Sequence, residues 1–154
     1  MTKTKYGILL VIILMTLMSS KIQGQIAVVV AKNNPVNNLT LEELRRIYLG
    51  KVTTFSNGEK IILLQYEPLM KEFYRIVLNK TPMKVRKHWI GVVFSGGSAT
   101  PPREFTTIHQ LSEILDKYSG VIGFIDWEDV GDNEKVITID GIRPQEANYP
   151  LQKE

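Results

Sequence analysis

The sequence contains no cysteine. That excludes disulfides, cysteine-ligated zinc, iron–sulfur clusters and thiol nucleophiles together. Histidine is scarce as well: His88 and His109 stand 21 positions apart, and neither has a second histidine three or four residues on to complete a helical metal pair. The Gly-x-Ser-x-Gly turn that exposes a nucleophilic serine is missing, so hydrolase chemistry has no obvious home. Nor is there an apolar run long enough to cross a bilayer, which takes about 20 residues.

Acid is missing from one place in particular, the first 24 residues, which carry Lys3, Lys5 and Lys21. Between them Ile8 to Met18 is apolar except for Thr16. A basic start, a short apolar stretch and then small residues read as a secretory signal, residues 1–24, with Met18-Ser19-Ser20 and Ile22-Gln23-Gly24 as competing cleavage sites. The expected product is periplasmic or secreted, and its only dealing with the membrane is through that signal. Removal of the segment also removes the chain's charge. The formal +3 of the 154 residues falls to zero, 16 basic against 16 acidic, so a nucleic-acid partner is not expected.

What remains is one domain, residues 25–142, followed by a polar, proline-bearing stretch, 143–154, that reads as a surface tail. Ile26 to Ala31 is a valine-rich run of the kind buried on both faces of a sheet. Thr40 with Glu43 forms a capping box, Leu39 with Leu44 a hydrophobic staple, and Leu41, Leu44 and Tyr48 recur at helical spacing up to Gly50. Ile61 to Leu64 predicts a second strand. Pro68 then opens a helix whose apolar face is Leu69, Phe73, Ile76 and Val77. Thr81-Pro82 opens another, with Val85, Trp89, Val92 and Val93 inward. Ser95 to Pro102 is a loop by its glycines and prolines. Ile108, Leu111, Leu115 and Tyr118 predict a further helix closed by Gly120, and Val121–Ile125 and Val136–Ile139 predict two more strands. Strands alternating with helices specify an α/β fold with a mostly parallel sheet flanked by helices.

Three groups of residues bear on chemistry. The acids Asp126, Glu128, Asp129, Asp132 and Glu134 do not match the ligand spacing of a calcium loop and read as a solvated turn. The loop around Gly97, Ser98 and Thr100, with Arg103 just beyond, is a candidate ligand site: glycine lets backbone N–H groups converge on an anion, hydroxyls add donors, and a guanidinium adds charge. No cofactor or metal is implied, and the chain reads as a binding module rather than an enzyme.

Several stretches resemble the substrate-binding proteins of phosphate ABC transporters: Ile26-Ala-Val-Val-Val, Asn34-Pro-Val, Leu39-Thr-Leu-Glu-Glu-Leu-Arg-Arg-Ile-Tyr-Leu-Gly-Lys-Val, Phe94-Ser-Gly, Pro101-Pro-Arg-Glu and Gly120-Val-Ile-Gly-Phe-Ile-Asp. The match is to short members of the type 2 periplasmic-binding-protein-like group, one lobe in size. The resemblance implies a solute-binding-like module for phosphate or another small anion in connection with ABC-type uptake. Its partners would be a second copy or a transporter or sensor component.

In the full-length family a Ser- and Gly-rich helix start grips the anion. The matching stretch here is Gln65-Tyr66-Glu67-Pro68-Leu69-Met70, where Pro68 lacks an N–H and Glu67 can cap the helix itself. A second reading therefore stands beside the first: a protein–protein interaction module that has kept the fold and lost the ligand.

Overall fold

The computed structural model describes residues 24–153; the predicted signal at 1–24 lies, but for Gly24, outside the described residues. The elements in chain order are β1 (Ile26–Val30), β2 (Asn38–Leu39), α1 (Leu41–Tyr48), β3 (Ile62–Tyr66), α2 (Met70–Phe73), α3 (Pro82–Phe94), β4 (Arg103–Phe105), α4 (Ile108–Lys117), β5 (Val121–Asp126), β6 (Lys135–Val136) and β7 (Thr138–Ile139).

Five strands form one sheet in the order β4-β3-β5-β1-β6, and β2 pairs with β7 in a separate two-stranded sheet. The β3–β4 and β3–β5 pairs are parallel, while β1 is antiparallel to both its neighbours. Strand direction is therefore shared by all of the large sheet except β1, which makes the fold α/β and mostly parallel.

The period of two along β1 explains the layering. Ile26, Val28 and Val30 enter a cluster with Leu44 and Tyr48 of α1, Phe73 of α2, and Val85 and Trp89 of α3. Ala27, Val29 and Ala31 enter a second cluster with Leu111 and Leu115 of α4. Every residue of β1 is fully buried, as a continuous apolar run demands of a strand covered on both sides.

Local signals place the helices. The Thr40 hydroxyl accepts from the Glu43 N–H at 3.1 Å and the Glu43 carboxylate accepts from the Thr40 N–H at 2.7 Å, so the capping box holds α1; the bonds that the carboxylate accepts from the Thr40 N–H and hydroxyl lower the Glu43 pKa. Thr107 and Gln110 make the same reciprocal box on α4. The helix predicted from Pro68 is less regular: a 3₁₀ turn over Glu67–Leu69, a single α turn, then a π-helix over Tyr74–Leu78.

Four expectations are corrected. The strand predicted over 136–139 is two short strands, β6 against β1 and β7 against β2: Ile137 N–H still donates to Val28 of β1, and Thr138 N–H donates to Asn37 instead. Tyr118 lies beyond α4 and is half exposed. Gly120 does not close that helix with a left-handed residue; it lets the Lys60 carbonyl oxygen approach to 2.1 Å of where a Cβ would sit, alongside the β3–β5 pairing. The segment predicted as a surface tail is in part core: Tyr149 and Leu151 are buried, Ile26 donates to the Leu151 carbonyl at 2.9 Å and the Tyr149 hydroxyl donates to the Ile26 carbonyl at 2.9 Å.

Candidate functional site

The glycine loop is built onto the carboxyl end of α3. Ser95 N–H donates to the Gly91 carbonyl, Gly96 N–H to Val93 and Gly97 N–H to Val92, at 3.0, 3.2 and 3.2 Å, and the Ser95 hydroxyl also donates to Val92. Gly96 supplies the positive φ of 74° that this reversal needs. The amides expected to converge on an anion thus satisfy the last carbonyls of the helix. They also sit at the negative end of its dipole, where an anion is disfavoured.

The four candidate residues divide. Gly97 donates its N–H to the helix. Ser98 and Thr100 line one small pocket with Gly50, Lys60, Ile61, Leu63 and Trp89, of ≈ 10 Å³, about the room for one water. Arg103 opens β4 in register with Leu64. Leu64 belongs to the α4-side cluster whereas Ile61 and Leu63 belong to the opposite one, so the pleat directs Arg103 to the face away from Ser98 and Thr100.

The turn after β3 is also committed to structure. Tyr66 precedes the 3₁₀ turn with no side-chain cap, and Met70 N–H returns to the Glu67 carbonyl. Glu67 is exposed and does not cap the turn as the sequence predicted. Gln65 points inward instead: the Tyr74 hydroxyl donates to its Oε1, and its Nε2 donates to Glu104 Oε2 at 3.2 Å. Burial, with the Glu104 charge as the lesser cause, pushes the Tyr74 pKa well up.

That Tyr74–Gln65–Glu104 chain lies along the concave feature that sequence reasoning missed, a cavity of ≈ 330 Å³ between α3, β3 and the Pro101-Pro102 corner. Its walls are apolar: Met70, Val85, Trp89, Ile90, Val93 and Phe94. Val93, predicted inward, is 52% exposed, and Ile90 and Phe94 are 50% and 87% exposed. Trp89 borders both cavities. Its ring edge fills the space that a Cβ on Gly50 would take, at 2.7 Å, and its indole N–H is buried without a hydrogen-bond partner. The signal was present in the sequence: Met83, Ile90 and Phe94 extend the apolar surface of α3 beyond the inward stripe of Val85 and Trp89.

The other chemistry-bearing groups have structural roles. Glu134 accepts from Gly131 N–H and the Ser112 hydroxyl, and Asp126 accepts from Glu128 N–H and pairs with Lys153. His88 Nε2 bonds the Leu49 carbonyl region at 2.9 Å, where α1 ends, and His109 stands 3.8 Å from Glu113 on the exposed side of α4.

No family model matches the sequence, and no curated protein does. Solved structures do match the fold. One is a protein assigned as a phosphate ABC transporter substrate-binding protein, with bound phosphate, from Clostridium perfringens: TM-score 0.67, 21% identity, 84% of this chain and 53% of that one. An ABC-type phosphate transport receptor from Vibrio cholerae gives 0.67, 20%, 84% and 54%. PstS from Borrelia burgdorferi gives 0.66, 12%, 85% and 55%. At these identities the likeness establishes the fold. The chain spans about half the length of each.

Proposed function

We propose that this chain is an exported, non-catalytic binding module that keeps a solute-binding-protein fold and works through the apolar groove between α3 and β3 rather than through its glycine loop. One observation carries the reading: a concave surface of ≈ 330 Å³, floored in part by the core residues Val85 and Trp89, is flanked by Ile90, Val93 and Phe94, apolar side chains left half or more exposed, which on a soluble domain marks an interaction surface. Export rests on the basic and apolar pattern of residues 1–24.

The neutral dye Nile red tests the groove. Its emission is expected to rise and shift to the blue with the purified protein, and to lose that response when Ile90 and Val93 are both changed to Ser. A response that survives the double change would place the apolar surface elsewhere and overturn the reading.

Phosphate or another small anion is the second reading, in connection with ABC-type uptake. It is favoured by the phosphate bound in the Clostridium perfringens structure, and it requires the small pocket shared by Ser98, Thr100 and Lys60 to widen. Titration calorimetry with inorganic phosphate and sulfate separates the two: saturable heat, lost on changing Ser98 and Thr100 to Ala, supports the anion reading, and no heat at millimolar anion removes it.

A further inference from the structure

The outward side of α3 specifies more than an apolar partner. Lys84, Arg86 and Lys87 fall within Pro82–Phe94, which contains no acidic residue. All three are exposed, and among the described residues none forms an ion pair, the paired cations being Arg45, Arg75, His109 and Lys153. Met83, Lys87, Ile90 and Phe94 follow one another at spacings of four, three and four, which stacks them in a single stripe down the helix. Met83, Ile90 and Phe94 are exposed by 59%, 50% and 87%. Arg86 and Val93 stand beside that stripe, on the wall of the groove.

Resting on the groove reading, we infer that α3 and the groove beside it dock an acidic amphipathic helix of a partner protein, whose apolar side chains enter the groove and whose carboxylates meet Arg86 on its wall and Lys87 on the adjoining stripe. The match is one of charge and shape. An amphipathic helix presents apolar anchors at i, i+3, i+4 and i+7 with charge on either side, and the groove offers an apolar channel with Arg86 on its wall and Lys87 beside it. A second copy of this chain fits poorly, because α3 against α3 brings Arg86 and Lys87 to face the same two cations. A bilayer fits poorly because the feature is concave, with Glu104 on its floor, and a lipid surface takes convex apolar residues. Gln65 is neutral and its hydrogen bond does not offset the Glu104 carboxylate; Arg86 and Lys87 together outnumber that one acid.

The test uses two synthetic peptides of about 18 residues, five helical turns, with the same leucine face and either glutamate or lysine elsewhere, followed by fluorescence anisotropy with the purified protein. The glutamate peptide is expected to bind about tenfold more tightly than the lysine peptide at low salt, as two exposed ion pairs of ordinary strength supply. The preference should shrink as salt is raised. It should reverse in the double variant Arg86→Glu, Lys87→Glu and weaken in Lys87→Glu alone, with unchanged circular dichroism because both sites are exposed.

Equal binding of the two peptides, with Nile red still responding, would overturn the acidic-partner inference and leave the groove reading intact. No peptide binding and no dye response would overturn both. Tighter binding to phosphatidylglycerol vesicles than to either peptide, or dimerisation abolished by Phe94→Ser, would overturn it in favour of a membrane or of a second copy.

Discussion

The two sides of α3 differ in what they do for the chain. On the inner side Val85 and Trp89 are buried to 2% and 5% exposure and join the cluster that holds α1, α2 and one face of the sheet together. On the outer side Met83, Ile90 and Phe94 are as apolar and remain in water. One apolar face is enough to fix a helix to a sheet, as α4 illustrates with Leu111 and Leu115 inward and His109, Gln110 and Glu113 outward. A second apolar face adds no stability and raises the risk of aggregation, so its presence points to binding.

The comparison can be broken from the inner side first. Trp89→Ala should cost about 3–5 kcal/mol, the range for removing a large buried aromatic, seen as a lower denaturation midpoint. Gly50→Ala should cost about 2–4 kcal/mol, combining the penalty of a left-handed non-glycine residue with the overpacking of a Cβ against the Trp89 ring, measured in the same way. Smaller is the loss of the α3 cap. The Thr81 hydroxyl accepts from Lys84 N–H at 3.4 Å, and Thr81→Ala should cost about 1 kcal/mol. On the outer side Phe94→Ser should shift stability by less than about 0.5 kcal/mol, as a surface change does, while reducing the Nile red response. A Phe94→Ser protein that unfolds like Trp89→Ala would remove the distinction between the two sides.

Alkaline pH probes the core around both sides. Burial raises the pKa of Tyr48, Tyr74 and Tyr149 above the ordinary 10.0. The folded chain therefore holds these protons more tightly than the unfolded chain. Their contribution is complete below pH 10 and declines as pH rises through the raised folded values. Denaturant midpoints should be flat from neutrality to about pH 10 and fall above it. Replacing Tyr149 by Phe should lessen the fall.

How much of this was legible depends on the range of the interaction. The fully buried β1, the Thr40–Glu43 box and the helical periods of α1 and α4 follow from residues a few positions apart, and the sequence displays them. The groove does not: it exists because Ile90 and Phe94 of α3 line one cavity with the Pro101-Pro102 corner and Gln65 of β3, a long-range arrangement that neither spacing nor composition encodes. The buried end of the chain was hidden for a similar reason. Tyr149 and Leu151, two apart in a polar stretch, are too few to register as a strand, yet they land on Ile26. Within the candidate site, the glycines and prolines of 95–102 mark a loop, and a loop is what the structure has there. Its N–H groups went to the carbonyl end of α3 because that helix ends there, and a residue count alone does not distinguish an anion from a helix terminus as the acceptor. The separation of Arg103 from Ser98 and Thr100 follows from the pleat of β4, a strand of three residues too short to predict.

Amide chemical-shift mapping by NMR, with the glutamate-faced peptide in one titration and inorganic phosphate in another, tests the central claim most directly. The peptide should move the resonances of Arg86, Ile90, Val93, Phe94 and Glu104, and phosphate should leave Gly97, Ser98 and Thr100 in place. Saturable phosphate shifts at those three residues, with a silent α3 in the peptide titration, would contradict it.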